Sequence, residues 1–260
     1  MLTVLIIFCA LFGLAIGSFA NVVIYRVPRG ESVVSPPSAC PNCHTEITPR
    51  DNIPVLSWLC LRGKCRTCAE PISARYPLVE LAMAALFAGA AARFGYNWAL
   101  PAYLATLAGL LVLSCIDVEL LILPKKIVYP LLAIVAVLLV VASGATGHWH
   151  YLLIAVICSV GWFVAFFALN ALSPRLLGFG DVRLALVLGL ALGWLGVRYV
   201  LLGFFAANVI GAVIGIALIA TKRVSRQQQI PYGVFLAAGA ALAIYAGAEL
   251  LTPFAQYHLR

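Results

Sequence analysis

Eight long apolar runs constrain this chain more than any other feature of its sequence. A helix needs about 20 consecutive apolar residues to cross the hydrocarbon core of a bilayer. Hydrophobic residues make up 64% of the 260 positions and charged residues only 10%. That leaves too little polar surface to cover a water-soluble domain of this size. The sequence therefore predicts an all-α fold, a polytopic membrane helix bundle.

The runs differ in length. The fourth and the sixth are short, so tilted, re-entrant or incompletely spanning segments make six or seven crossings the alternative to eight. The eight runs are Leu2–Ile24, Tyr76–Ala92, Ala99–Ile116, Ile127–Ala142, Tyr151–Leu172, Val182–Gly196, Tyr199–Thr221 and Pro231–Leu251.

Lysine and arginine lie mostly in every second connection between these runs. Segment 26–75 holds seven of the 17 basic residues, and Arg93, Arg198 and Arg260 fall on the opposite side. Because cytoplasmic loops are rich in Lys and Arg, both termini are predicted outside and the basic loops in the cytoplasm. The net charge of +8 follows from this topology, and we expect the lipid bilayer, not nucleic acid, as a partner. The later basic loops contain Lys125, Lys126, Arg175, Arg183, Lys222, Arg223 and Arg226.

The one long polar segment contains two Cys-x-x-Cys pairs, Cys40 with Cys43 and Cys65 with Cys68. Each pair places two thiolates on one tight turn, and two pairs supply the four sulfur ligands of a tetrahedral zinc site. A segment this short buries little apolar surface, so a bound metal would contribute folding free energy. The sequence predicts a small cytoplasmic zinc-binding loop domain, with His44 outside the ligand set. Two disulfides or four uncoordinated thiols are the alternatives.

Two aspartates, Asp117 and Asp181, adjoin apolar runs and therefore lie near the membrane boundary. Ionisable groups at that depth are costly and usually functional. Asp181 begins a predicted helix, where unpaired amides favour a charged carboxylate, whereas Asp117 ends one, where the helix dipole disfavours charge. Such a pair suits aspartic proteolysis, because one carboxylate activates water while a protonated carboxyl polarises the peptide carbonyl. Before Asp181, Gly178 and Gly180 permit unusual backbone angles and close approach of another chain.

Each acid also has a structural interpretation. Asp181 is as well suited to capping its own helix as to catalysis, whereas Asp117 is poorly placed to cap the helix that it ends. Glu80 lies near the inner end of the second run, where it is expected to hold a polar ligand or to pair with an arginine.

Longer motifs surround these residues, and on them the chain resembles a known family. The resemblance is to the type IV prepilin leader peptidases, the Gly-x-Gly-Asp intramembrane aspartyl proteases of bacteria, and it covers nearly the whole length. Many relatives carry Leu-Pro-Asp where this chain has Lys125 after Leu123-Pro124, and Asp where it has Glu119, which leaves substrate preference open. The matching motifs are Gly17–Arg26 (GSFANVVIYR), Asp51–Trp58 (DNIPVLSW), Arg62–Cys65 (RGKC), Pro71–Glu80 (PISARYPLVE), Ile116-Asp117 with Leu123-Pro124, and Gly178–Asp181 (GFGD).

The resemblance implies two activities at the bacterial inner membrane. Members with this cysteine-bearing segment cleave the leader from type IV prepilins and pseudopilins and then methylate the new N-terminal amine with S-adenosylmethionine. The peptidase step needs no cofactor. The methyl-donor site falls within 17–80, with Glu80 as its candidate residue. Carried over to this chain, the catalytic residues are Asp117 and Asp181, the active-site loop contains Gly178 and Gly180, and the zinc ligands are Cys40, Cys43, Cys65 and Cys68.

The resemblance also implies three regions. They are a first transmembrane helix at 1–25, a cytoplasmic four-cysteine domain at 26–75 that forms part of the methyltransferase, and a membrane-embedded aspartyl peptidase bundle at 76–260. The sequence does not indicate the oligomeric state or which prepilins are cut. Three alternatives remain open: a peptidase without methyltransferase activity, a proton-coupled transporter that uses both aspartates as a relay, and a membrane scaffold whose zinc loop docks a partner.

Overall fold

The computed structural model describes residues 1–172, 177–221 and 230–255. Helices account for most of its regular structure, and within these residues the only β pairing is two isolated bridges. The all-α prediction is confirmed. The chain divides into two compact units, Met1–Tyr96 and Asn97–Arg260.

The first unit consists of two long helices and the polar segment between them. Helix α1 spans Leu2–Arg29 and ends at Gly30, and helix α3 spans Arg75–Phe94. They pack closely because α1 presents glycine to the α3 backbone: a Cβ atom at Gly17 would lie 2.7 Å from the Cα atom of Glu80. Small residues at such contacts let membrane helices approach closely. The segment between them contains a short helix α2, Leu56–Cys60, preceded by a 3-10 turn at Pro49–Asp51.

Within its described residues, the second unit contains six helices: α4, Leu100–Leu120; α5, Lys125–Thr146; α6, Trp149–Leu172; α7, Phe179–Leu195; α8, Val197–Ala220; and α9, Tyr232–Ala255. Helix α7 packs along α6 and α8 along α9. Glycine again sets the spacing, since a Cβ atom at Gly189 would lie 2.6 Å from the Cα atom of Ser159. Helix α7 is buried along most of its length.

Seven of these helices are long and apolar enough to cross a membrane, namely α1, α3, α4, α5, α6, α8 and α9. Helix α5, the short fourth run of the sequence, forms a 22-residue helix. Helix α7, the sixth run, has 17 residues and a length of roughly 26 Å, slightly less than the ~30 Å hydrocarbon core. It is therefore the one predicted run that falls short of a full crossing by length.

Large apolar side chains cover the outside of the helices. In water such a surface would be strongly unfavourable, whereas lipid solvates it. The chain is thus a multi-pass membrane protein. Representative exposed side chains are Phe8, Val137, Ile157, Phe205 and Ile216. Five basic residues used to predict the orientation lie outside the described residues: Arg175, Lys222, Arg223, Arg226 and Arg260.

Candidate active site and metal centre

The first predicted catalytic residue, Asp117, lies in the last turn of α4 and is 5% exposed. Helix α4 stops there because Leu121 adopts a left-handed conformation, φ 55°, and its backbone N–H donates to the Asp117 carbonyl oxygen at 2.9 Å. The chain then turns through Leu123, which is buried, and Pro124 begins α5. The turn places Leu123 next to the Asp117 carboxyl.

The second predicted catalytic residue, Asp181, lies in the first turn of α7 and is 8% exposed. The helix begins at Phe179, two residues before the predicted start at Asp181, with Gly178 at its N-cap and the Asp181 N–H donating to the Gly178 carbonyl oxygen at 3.0 Å. Backbone N–H groups of Gly178 and of Asp181 itself donate to the Asp181 carboxyl. Asp181 therefore contributes to capping α7, and its carboxyl is still held in one place for chemistry.

The structure brings the two aspartates together. Their carboxyl groups lie close enough to repel each other electrostatically when both are charged. Leu123 packs against Gly180 and Gly233, because its side chain contacts the positions that Cβ atoms would occupy at both glycines. Two carboxyls contributed by separate helix ends in a buried setting are the arrangement that divides acid and base roles between like groups.

The N-terminal end of α9 completes the surroundings of Asp117. Backbone N–H groups of Gly233 and Val234 donate to the Asp117 carboxyl, while its Oδ2 atom is buried without a hydrogen-bond partner among the described residues. The sequence-based expectation for Asp117 considered the C-terminal end of α4 alone. In the structure the N-terminal end of α9 also adjoins its carboxyl.

Tyr232 is a site residue that the sequence did not single out. Its side chain lies near enough to Asp181 for electrostatic interaction, and its hydroxyl donates to Asn208 Oδ1 at 3.4 Å. The available signal was Pro231-Tyr232-Gly233 at the start of the last apolar run, because proline and glycine there mark a helix start that a ligand can approach.

The two glycines before Asp181 act through size, not through backbone angle. Gly178 has φ −70°, and Gly180, within α7, does not have a positive φ. The expectation of unusual backbone angles is thus wrong. Close approach explains Gly180, because a Cβ atom there would lie 3.0 Å from the Cβ atom of Leu123. A Cβ atom at Gly178 would lie 3.3 Å from Asp181 Oδ2, so both glycines leave room around the dyad.

The four cysteines of the polar segment form one cluster. Their sulfur atoms all lie within 4.8 Å of one another, with Cys40 and Cys68 sulfurs 3.7 Å apart and Cys43 and Cys65 sulfurs 3.9 Å apart. With Zn–S distances of about 2.3 Å, a tetrahedral site has S···S edges of about 3.8 Å. A disulfide needs an S–S distance of about 2.05 Å. The cluster can hold a metal, and the two-disulfide alternative does not describe it.

The two halves of the cluster repeat one turn. After the first pair, His44 has φ 57° and its N–H donates to the Cys40 carbonyl at 2.9 Å; after the second, Ala69 has φ 57° and donates to Cys65 at 3.0 Å. His44 therefore occupies a turn position equivalent to that of alanine. Its placement outside the ligand set agrees with the sequence prediction.

Local hydrogen bonds prepare two of the four thiols for metal binding. A hydrogen bond with the Thr45 side chain, together with one to its backbone, lowers the pKa of Cys43 to about 6. Backbone hydrogen bonds at Cys68 and Thr67 lower the pKa of Cys65. Thiolate is the form that coordinates metal, so both residues are favourable ligands.

Glu80 anchors the polar segment to the helix pair. It is 7% exposed in α3, and its Oε2 atom accepts the Val55 backbone N–H at 2.7 Å; the Ser18 hydroxyl on α1 donates to the same carboxyl. Val55 has the uncommon φ of 62° for a β-branched residue, and this hydrogen bond holds it there at the start of α2. The sequence predicted that Glu80 would hold a polar ligand or pair with an arginine. In the structure Glu80 accepts hydrogen bonds from the Val55 backbone amide and the Ser18 hydroxyl.

Family models and curated relatives cover both units. A bacterial peptidase A24 N-terminal domain matches residues 11–94, and the type IV leader peptidase family matches residues 104–216. A Burkholderia pseudomallei (strain 1026b) protein named prepilin leader peptidase/N-methyltransferase is 35% identical, covering 95% of this chain and 86% of its own. One of the same name from Bacillus subtilis (strain 168) is 32% identical, covering 93% and 94%. No solved structure matches the chain.

The chain belongs to the type IV leader peptidase family. Within this family member, Asp117 and Asp181 fall in the leader peptidase match, and the four cysteines and Glu80 fall in the N-terminal domain match. The boundary between the two matches agrees with the division of the structure after Tyr96. Tyr232 and Gly233 lie beyond both matched ranges, so their place beside the aspartates comes from the structure.

Proposed function

We propose that this chain removes the leader from type IV prepilins and pseudopilins and methylates the new N-terminal amine, with Asp117 and Asp181 as the catalytic pair. The observation that carries the proposal is the meeting of two buried carboxyls from α4 and α7 in a chain of the leader peptidase family. The names of its curated relatives contain both activities.

In the peptidase step, one carboxyl is ionised and the other is protonated. The carboxylate takes a proton from a water molecule that attacks the scissile carbonyl carbon, while the protonated carboxyl donates to the carbonyl oxygen. Collapse of the tetrahedral intermediate breaks the C–N bond as the amine leaves with a proton. The backbone amides of Gly178, Gly233 and Val234 hold both carboxyls in position throughout, so little reorganisation is needed during the reaction.

Access to the pair is best from the N-terminal end of α7. Gly178 and Phe179 are exposed there although Asp181 is buried. A helical peptide bond is shielded by its own hydrogen bonds, so the scissile segment of a prepilin must unwind before attack. The absence of a Cβ atom at Gly178 lets an extended backbone approach the Asp181 carboxyl.

In the methylation step, S-adenosylmethionine supplies an electrophilic methyl group. The neutral N-terminal amine of the cleaved substrate attacks it, an N–C bond forms as the C–S bond breaks, and the amine releases a proton to water. We assign this step to the first unit, which contains the N-terminal domain match. Cys40, Cys43, Cys65 and Cys68 would hold zinc there in a structural role, because four thiolate ligands would leave no coordination position for substrate.

The proposal extends to topology. With both termini outside, the C-terminal end of α4 and the N-terminal ends of α7 and α9 all face the cytoplasm when α7 is counted as a crossing. The three ends meet at the aspartate pair, which agrees with counting α7 as a crossing, and the basic connections assign that side to the cytoplasm. The basic leader of a prepilin would then reach the pair from the cytoplasmic side of the inner membrane.

The test is leader cleavage by purified protein in liposomes, followed by mass spectrometry of a synthetic prepilin. We expect Asp117→Asn and Asp181→Asn each to reduce cleavage at least 10³-fold, because either change removes a group that the chemistry needs. The matched control is Glu119→Gln, since Glu119 is an exposed acid two residues from Asp117 on the same helix end. It should cleave within threefold of the parent.

Three results would count against all or part of the proposal. Near-normal cleavage by either Asn variant would remove the catalytic assignment. A folded parent that cleaves no prepilin but carries a proton-dependent flux abolished by both Asn variants would support the transporter alternative. Cleavage without addition of a methyl mass in the presence of S-adenosylmethionine would retain the peptidase activity and remove the methyltransferase activity from the proposal.

A further inference from the structure

A cavity of about 440 Å³ opens between α1 and the polar segment that follows it. Its helical wall is one face of α1, formed by Ala15, Ser18, Phe19, Val22 and Arg26, at spacings of three, four and seven residues that share a face. The opposite wall is formed mainly by residues 33–38. The volume lies within the ~300–1,000 Å³ range of small-molecule sites, so the cavity can hold a nucleoside-sized ligand.

One end of the cavity carries a positive charge. Arg26 is half-buried and donates to the carbonyl oxygens of Ser32 at 2.9 Å and Pro37 at 3.4 Å. These bonds hold the guanidinium against the loop wall of the cavity and use only part of its five N–H donors. No carboxylate pairs with Arg26 in the described part of the chain. A ligand carboxylate would therefore find an oriented cation with donors to spare.

The other end is backed by a buried carboxyl group. Ser18 lines the cavity, and its hydroxyl donates to the buried Glu80 carboxyl behind it. Ser18 and Arg26 are eight residues apart on one helix, which corresponds to roughly 12 Å. Between them, Phe19 and Val22 present an aromatic and an aliphatic surface. The cavity thus has a cationic end at Arg26, an apolar middle, and a polar end at Ser18 with the Glu80 carboxyl behind it.

We propose that this cavity binds S-adenosylmethionine, the methyl donor of the proposed methyltransferase function on which this inference rests. The carboxylate of the ligand pairs with Arg26, its adenine packs on Phe19 and the loop wall, and its cationic groups lie toward Ser18 and Glu80. The complementarity is specific to a ligand that carries both charges and a flat apolar ring. An anionic lipid headgroup shares only the contact with Arg26.

The test measures binding directly, by equilibrium dialysis of labelled S-adenosylmethionine against the purified full chain. Val22→Phe fills the cavity, and its matched control is Val23→Phe, because Val23 is the adjacent, equally half-buried valine that does not line it. Arg26→Ala removes the cation, and its control is Arg29→Ala, since the Arg29 guanidinium stacks on Tyr25 at 4.0 Å outside the cavity. We expect the first member of each pair to weaken binding at least tenfold and each control to stay within twofold.

A second measurement needs no variant. Ultraviolet cross-linking of labelled S-adenosylmethionine to the parent, followed by peptide mapping, should label residues 15–38. Circular dichroism and metal content establish that the variants are folded. Anionic vesicles that compete with the donor for the parent, with labelling elsewhere, would assign Arg26 to lipid and overturn the proposal.

The possible failures are distinguishable. A parent that binds the donor, with Val22→Phe and Arg26→Ala binding equally well, would overturn the cavity and leave the methyltransferase function intact. A parent that cleaves prepilin and binds no donor at millimolar concentration would overturn both the cavity and the methyltransferase half of the proposed function.

Discussion

Replacing Gly233 with alanine should lower the rate of catalysis by displacing the aspartate pair, beyond any effect on the stability of the bundle. A Cβ atom at Gly233 would lie 2.8 Å from Asp117 Oδ2 and 3.1 Å from Leu123 Cδ1. Ordinary contacts between such atoms are about 3.5 Å, so the carboxyl or α9 must move by roughly 0.7 Å. Displacements of about 1 Å cost catalysis on the order of 10²-fold. We expect Gly233→Ala to lower kcat for leader cleavage roughly 30- to 100-fold, about 2–2.7 kcal/mol in activation free energy.

The control is Gly247→Ala on the same helix. A Cβ atom there would lie 2.6 Å from Tyr199 Cε1, and 14 residues separate it from Gly233, roughly 21 Å along α9. Both variants overpack the bundle, which costs about 1–3 kcal/mol of stability. The assay is kcat at saturating prepilin, well below the Tm of either variant. If Gly233→Ala kept kcat within threefold of the parent while folded, the packing of Asp117 against α9 would not matter for the reaction.

Three further predictions concern other parts of the chain. Cys40→Ser should lose one bound zinc per chain by elemental analysis, whereas Cys60→Ser, at an exposed cysteine, should retain it; equal metal content would remove Cys40 from the ligand set. Glu80→Ala leaves the Val55 N–H unpaired at a cost of about 1–3 kcal/mol and should speed hydrogen exchange at Val55, whereas Glu80→Gln keeps an acceptor; identical exchange in both would contradict the anchoring role. Tyr232→Phe removes the hydroxyl that bonds Asn208 and should lower kcat about tenfold, while Tyr96→Phe in the first unit should not; an unchanged rate would place Tyr232 outside the reaction.

The membrane helices could be predicted closely because bilayer insertion depends on local composition. The predicted run Tyr151–Leu172 corresponds to the observed helix Trp149–Leu172, and the predicted run Tyr199–Thr221 corresponds to the observed helix Val197–Ala220. Each backbone polar group must be satisfied within its own helix, so an apolar run of sufficient length has one favourable structure. The cysteine cluster was predictable for a related reason, since the spacing within each pair is set by one short turn.

The aspartate pair was predictable only in part. Both residues could be singled out as acids at the ends of apolar runs, but the reasons attached to them considered each helix alone. Gly178 and Gly180 were explained by backbone angles that they do not adopt. Asp117 was assigned an environment from α4 when α9 determines it as well.

The sequence by itself determined which segments are helical and which four thiols can share a metal, and it singled out Asp117 and Asp181 as candidates, because each depends on residue type and short spacing. Only the tertiary structure decided which helix ends meet. More than 110 residues separate Asp117 from Gly233, and no local pattern encodes their contact. It results from the packing of α4, α7 and α9 through small residues, and that packing directs the free amides of α9 at the carboxyl.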